Sequence, residues 1–190
     1  MKKLQNQYYI LRHGQSQANK LEIIISDPAN GIKKYGLTET GKSQIEHAIK
    51  KNNELNQKTI IYASPFLRTK ETAQIIKKNL NCRKINITDK LKERYFGNYE
   101  KLSNKNYQKV WDNDKLNKNN NKNNVESTKQ VWDRMISLIN EIEIKYSNKK
   151  IILISHGDPL QILITGFNNI PINHHRQIKH LNTAEIRKLN

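Results

Sequence analysis

Several short groups in this chain combine residue types suited to holding and attacking an anion. Arg12-His13-Gly14 closes the apolar run Tyr8-Tyr9-Ile10-Leu11, and Ser16 and Asn19 follow it. Arginine offers a planar, permanently charged fork to a phosphate or carboxylate. Gly14 lets backbone approach without a side chain in the way, and His13 between them is a nucleophile or a well-placed cation. Arg68 lies just beyond Ser64-Pro65, Glu93 beyond the weak apolar run Ile85-Asn86-Ile87, and His156-Gly157 directly after Ile151-Ile152-Leu153-Ile154-Ser155. Taken singly, each has an ordinary reading: a helix-surface cation for Arg68, a surface pair with Arg94 for Glu93, a hydrogen-bonded core imidazole for His156. Recurrence of such groups at the ends of successive apolar runs makes coincidence the poorer account.

Those apolar runs read as strands and the stretches between them as helices. Residues 8–11 and 58–63 have strand composition, 85–87 weakly so, and 150–155 is apolar enough to be buried on both faces. Thr38 is placed to cap a helix running to about residue 51, with Ile45, Ala48 and Ile49 inward. Ser64-Pro65 reads as a cap followed by proline at the first helical position. From Ser127 a long helix is written in Val131, Met135, Leu138, Ile139, Ile142 and Tyr146, and Asp158-Pro159 opens another through Ile164. The tail over 177–189 is suited to edge strands. Alternating strands and helices predict an α/β fold, a three-layer α/β/α sandwich around a mostly parallel sheet. In such sheets ligands bind at the carboxyl ends of the strands, where the charged and imidazole groups fall. Residues 1–190 read as a single domain, with a flexible Asn/Lys-rich loop near 115–124.

The net charge is +17. Lysine is spread along the chain with abundant asparagine and isoleucine, a pattern closer to compositional drift than to a clustered nucleic-acid footprint. Its positive field would still draw anions inward. Cys82 is the one cysteine, which excludes an internal disulfide and a cysteine-based metal site. No apolar run approaches membrane-spanning length, and no signal-type apolar region follows Met1-Lys2-Lys3. A cytoplasmic protein is expected.

The ordered set of motifs resembles the histidine phosphatase superfamily, which includes the cofactor-dependent phosphoglycerate mutases. Arg12-His13-Gly14-Gln15-Ser16 with Asn19 opens it, followed by Gly36-Leu37-Thr38-Glu39-Thr40-Gly41 with Gln44. Tyr62-Ala63-Ser64-Pro65 with Arg68, Thr69 and Thr72-Ala73 comes next, then Glu93-Arg94-Tyr95-Phe96-Gly97 and Ser155-His156-Gly157. The resemblance implies a phosphoglycerate mutase-like fold and a phosphohistidine formed on His13. It implies that Arg12, Arg68 and His156 surround the transferring phosphoryl oxygens, with Asn19 and the Gly157 amide as further phosphate donors. Glu93 would protonate the leaving oxygen and then activate water. Fixed cations would take the part often played by Mg²⁺, so no metal and no cofactor are implied. The segment between Glu93 and the long helix is short and largely Asn/Lys, and the Trp-Asp element that mutases carry ahead of the Leu-Thr motif is replaced by Lys34-Tyr35-Gly36. A water-accessible site follows, which favours hydrolysis of small-molecule phosphomonoesters over mutase-type transfer. Two departures bear on the substrate. Glu100-Lys101 stands where phosphatase relatives usually have Glu-Gly, and Asp158 places a negative charge beside the second histidine unless it caps a helix.

Three rival readings are weaker. Gly36-x-x-x-x-Gly41-Lys42-Ser43 matches the nucleotide P-loop pattern but lacks a buried strand before it. Aromatic residues near the Asn/Lys segment, Tyr107, Trp111 and Trp132, could serve a basic nucleic-acid-binding module, although core packing explains Trp132 more simply. His174, His175 and His180 form a loose metal candidate. Substrate identity and oligomeric state are not written in the sequence.

Overall fold

The computed structural model describes residues 4–117 and 119–190. Five strands form one sheet in the order β3-β2-β4-β1-β5. β1 is Gln7–Arg12, β2 Ile60–Ala63, β3 Ile85–Ile87, β4 Lys150–Ser155 and β5 Ile186–Lys188. β1 to β4 run parallel, and β5 pairs antiparallel with β1 at the edge. The reading at residues 1–3 and 118 lies outside the described residues.

Alternation along the central strands sorts side chains into two cores. Tyr8, Ile10, Ile151 and Leu153 face α6 (Thr128–Lys145) and α7 (Gly157–Phe167), meeting Val131, Met135, Leu138, Leu160 and Leu163. Tyr9, Leu11, Ile152 and Ile154 face the opposite way onto α3 (Glu39–Lys50) and α4 (Leu67–Leu80), against Ile45, Ile49, Ala73 and Ile76. The result is the three-layer α/β/α sandwich expected, with β4 covered on both faces because it carries no polar side chain from Ile151 to Ile154. Each such side chain contributes roughly 1.5–3 kcal/mol when fully buried, which is what holds the strand ends in place. Short helices α1 (Gln17–Lys20) and α2 (Pro28–Gly31) lie in the connection after β1.

Local chemistry explains most of the boundaries. The Thr38 hydroxyl accepts from the Gly41 amide at 3.0 Å and starts α3. Ser127 and Gln130 close a reciprocal capping box on α6. α4 begins at Leu67, later than Ser64-Pro65 suggests, because the Ser64 hydroxyl is engaged elsewhere, 2.8 Å from His156 Nε2. α7 extends past Ile164 to Phe167 and starts at Gly157, and Asp158 does not cap it; no side-chain cap is present and that carboxylate pairs sideways. The Asn/Lys segment is also more ordered at its start than composition suggests. α5 (Tyr107–Leu116) runs into it, and Lys122–Asn124 forms a 3₁₀ turn. Tyr107, Val110, Trp111 and Asp114 give α5 a helical stripe, which packs beside Phe96 in a small separate core with Ile24 and Val125.

Neither the P-loop nor the metal candidate is assembled. Gly41 and Lys42 lie inside α3, and Lys42 pairs with Glu39 on the surface. His174 contacts Gln177, His175 is buried beside Asp158, and His180 sits between two arginines. Among the described residues no helix is long and apolar enough to cross a membrane.

Candidate active site

Strand register brings the two histidines together. Arg12 pairs in register with Ser155, so His13 and His156 leave adjacent parallel strands side by side. Their rings meet edge to face with centroids 5.2 Å apart. The loop carrying His13 rests directly on the first turn of α3. A Cβ on Gly14 would stand 2.3 Å from the Gly41 carbonyl oxygen, and one on Gly41 2.0 Å from that of Gln15. Only glycine allows that approach, and it fixes where the imidazole emerges.

The hydrogen bonds assign the tautomer of His13. Its Nδ1 is 2.7 Å from the Gly14 carbonyl, which can only accept, so Nδ1 carries the hydrogen and Nε2 the lone pair. Arg68 Nε donates to that Nε2 at 3.1 Å and to His156 Nδ1 at 3.2 Å. Both rings are therefore acceptors toward the arginine and neutral. Burial, reinforced by the charges of Arg68 and Arg12, holds the His13 pKa well below the ordinary imidazole value. The same cause, burial first and Arg68 next, lowers that of His156. A buried, uncharged ring whose unprotonated Nε2 faces the cavity, held there by a single arginine N–H, has the chemistry of a nucleophile rather than of a cation.

Arg12 and Arg68 line the same cavity as His13, and each keeps a guanidinium nitrogen that the described residues leave unused. Arg12 Nη1 donates to the Leu181 carbonyl at 2.9 Å, and Arg68 Nη2 to that of Ile25 at 3.0 Å. Arg12 Nε and Arg68 Nη1 are buried and have no hydrogen-bond partner among the described residues. Buried, unpaired guanidinium nitrogens are costly. Two of them beside one nucleophile call for an anionic guest.

Glu93 lies across the site on the segment after the 3₁₀ turn Asp89–Leu91. Its Oε2 is 3.6 Å from Arg68 Nη2 and 3.6 Å from His156 Nδ1, while Oε1 accepts from the Arg94 amide at 2.9 Å. Burial raises its pKa to about 7; Arg68 opposes the shift and Asp158 reinforces it. Arg94 itself does not pair with Glu93 through its side chain. It is wholly buried and forks onto Asp114 at 2.6 and 2.8 Å, with Asp158 at 3.2 Å. That pair pins α5 over the site.

Arg12, His13, Asn19, Arg68, Glu93 and Gly157 line one cavity of about 220 Å³. His156 does not line it but lies beneath, fully buried and in contact with Arg68. Asn19 sits at the exposed rim; its Oδ1 is taken by Ser16 in the cap of α1, which leaves its amide nitrogen to the pocket. Gly157 opens α7, where first-turn amides have no intrahelical acceptor. The sequence reading did not place Tyr107, Trp111, Arg176 or His180 here, yet all four line the same cavity. For Tyr107 and Trp111 the helical spacing with Val110 and Asp114 was the available signal. Arg176 and His180 come from an irregular tail with no such pattern.

A family model of the histidine phosphatase superfamily, branch 1, matches residues 8–190. The chain belongs to that superfamily. Over 156 residues this histidine phosphatase is 26% identical to the uncharacterized phosphatase PhoE of Bacillus subtilis (strain 168), covering 82% of this chain and 74% of that one. A 100-residue stretch is 37% identical to agropine synthesis reductase of Rhizobium rhizogenes; it spans 49% of this chain but 22% of that protein. The solved structure of mycobacterial glucosyl-3-phosphoglycerate phosphatase in complex with VO3 superimposes with a TM-score of 0.77 at 18% identity, over 95% of this chain and 90% of that one. That likeness carries the fold.

Proposed function

We propose that this histidine phosphatase hydrolyses phosphomonoesters of small metabolites through a phosphohistidine on His13. The observation that carries the reading is the pair of buried nitrogens, Arg12 Nε and Arg68 Nη1, without partners among the described residues and on arginines that share a cavity with a neutral imidazole whose Nε2 is unprotonated. A phosphoryl group supplies the missing acceptors and presents phosphorus to that lone pair.

In the first step His13 Nε2 bonds to phosphorus as the ester oxygen departs, and Glu93 gives that oxygen its proton. Arg12 and Arg68 stabilise charge on the equatorial oxygens, with Asn19 and the Gly157 amide as further donors. His156 fixes Arg68 from below. The Ser64 hydroxyl accepts from its Nε2–H, which keeps Nδ1 as the acceptor that holds Arg68. In the second step the Glu93 carboxylate takes a proton from water, the water oxygen bonds to phosphorus, and the P–N bond breaks to release phosphate and the starting imidazole. A pKa of about 7 suits a group that must both give and accept a proton near neutrality.

Hydrolysis is favoured over mutase-type transfer because the cavity opens to solvent past the exposed residues Asn19 and His180. The cavity's volume suits a metabolite rather than a folded phosphoprotein or nucleic acid. A cytoplasmic setting, in which the buried Cys82 thiol stays reduced, belongs to the same proposal. The test is rapid quenching after mixing with a ³²P-labelled phosphomonoester. An acid-labile, base-stable phosphoenzyme is expected, absent from His13→Ala together with turnover. Turnover retained by that variant sinks the mechanism.

A further inference from the structure

The cavity also carries positive charge that phosphoryl transfer does not use. The Arg176 guanidinium carbon sits over the Trp111 indole, 3.8 Å from its ring centre, a cation–π contact that holds the charge in place. Its nearest carboxylate, Asp158, is 3.8 Å away and already committed to Arg94 at 3.2 Å and to the Trp111 indole N–H at 3.1 Å. His180 stands between the two arginines of the wall. Its Nε2 is 3.1 Å from Arg12 Nη1, and its Nδ1 is 3.1 Å from Arg176 Nη2.

That bridge cannot be satisfied on both sides. A neutral imidazole has one N–H and one lone pair, whereas both guanidinium groups only donate. One of the two contacts therefore sets N–H against N–H, and protonating His180 would only add repulsion. The three charged neighbours Arg12, Arg176 and Arg187 in fact lower its pKa, after burial as the leading cause. A second anion seated between Arg176 and His180 removes the conflict: it accepts from the guanidinium and from the His180 Nδ1–H, and His180 Nε2 accepts from Arg12.

We propose that Arg176, seated on Trp111 and linked through His180 to Arg12, forms a second anion subsite, so that the substrates are phosphomonoesters whose leaving group carries a further acidic group. A single imidazole separates this subsite from Arg12, so only a short carbon chain joins the two acidic ends, and the stacked pair Tyr107–Trp111 gives that chain an apolar surface. The proposal rests on the phosphatase reading above and deepens it by naming the class of leaving group. Carboxylate and phosphate share the chemistry that Arg176 recognises, and the assay separates them.

The test compares kcat/KM for propyl phosphate, its carboxylate analogue phosphooxypropanoate, and propanediol bisphosphate. In the native protein at least one acid-bearing ester is expected to exceed propyl phosphate by roughly 10- to 100-fold, the range for a charge-assisted hydrogen bond. The larger ratio identifies the acid. Arg176→Ala should collapse this ratio, mainly through KM because the contact exists before the transition state, and Arg176→Lys should keep part of it. Should the alanine variant fold poorly, the lysine variant and the decline of the native ratio with ionic strength supply the same answer. A native ratio near one, or a ratio the same in the native and Arg176 variants, overturns the subsite. Failure of the phosphatase reading looks different: no ester of the set is turned over and no phosphoenzyme forms on His13.

Discussion

Glu93→Gln isolates the proton-transfer group and has a magnitude that follows from its surroundings. With a pKa of about 7, the carboxyl is about nine-tenths protonated at pH 6 and about one-tenth at pH 8. As the proton donor it gives kcat/KM a limb that falls tenfold per pH unit above about 7. His13 produces no matching limb near neutrality, because its pKa lies well below 6.5 and the ring is already neutral. The substrate's own phosphate ionises near pH 6 (about that of a phosphoserine), and that inflection belongs to native protein and variant alike. In Glu93→Gln the limb at about 7 should vanish, and kcat/KM for an alkyl phosphate should fall by roughly 10²- to 10⁴-fold. Nitrophenyl phosphate needs no proton on its leaving oxygen, so its rate of phosphoenzyme formation should fall much less. The assay is single-turnover formation of the phosphoenzyme with both esters across pH 5 to 9. A limb that persists in the variant, or equal losses for the two leaving groups, refutes the assignment.

Other consequences are open to direct measurement. The same carboxyl is ionised at a cost in the folded state. Its folded pKa lies above the unfolded value, so its contribution is neutral below about 4.5, grows more unfavourable as pH rises from there to about 7, and is constant above that. Glu93→Gln should therefore leave stability unchanged near pH 4 and raise it by up to about 3 kcal/mol at pH 8 by urea unfolding; no gain at pH 8 contradicts the burial argument. Arg68→Ala removes one unpartnered donor and the restraint on both imidazoles. It should lower kcat/KM by roughly 10²- to 10³-fold and weaken inhibition by vanadate; an unaltered vanadate affinity would place the anion elsewhere. Lys101 occupies left-handed backbone at φ 64, so Lys101→Gly should stabilise the fold by roughly 0.5–1 kcal/mol, strain relief less the added chain entropy. A lower melting temperature in that variant counts against this.

Legibility in the sequence followed the range of the interactions. Both cores, the parallel sheet, the cap at Thr38 and the box at Ser127 rest on periodicity and neighbours within one turn, and all were readable. That His13, Arg68, Glu93 and Gly157 would fall near one another was readable because each follows an apolar run, and the structure lines one cavity with them. Other features depend on partners far along the chain. Ser64 looked like a helix cap but bonds His156, ninety-two residues away. Asp114, in a polar helix beside the Asn/Lys run, gave no hint that its carboxylate is buried against Arg94. Lys101 shows the reverse case. A departure from the family's usual Glu-Gly was visible in the sequence, and the structure supplies its meaning: the glycine position is left-handed, while Glu100 still accepts from Ser26 and Asn30.

Asp158, the negative charge that looked out of place beside a phosphate site, has a defined electrostatic task. Burial alone would raise its pKa, but His175, Arg94 and Arg176 outweigh that and keep it ionised far below the usual carboxylate range. A fixed anion held this way cannot be neutralised by the incoming substrate, and it is one of the influences that keep the Glu93 proton in place against Arg68. Asp158→Asn should therefore move the Glu93 limb of kcat/KM below 7, reducing the fraction of active acid at neutral pH while enlarging the population of the carboxylate that takes a proton from the attacking water. Phosphoenzyme formation and breakdown should shift in opposite directions at pH 7, a split that simple loosening of the Trp111 anchor would not produce. If quenched-flow traces show both steps slowed together with the limb still at 7, Asp158 only braces α5, and the acidity of Glu93 is set by burial and Arg68 alone.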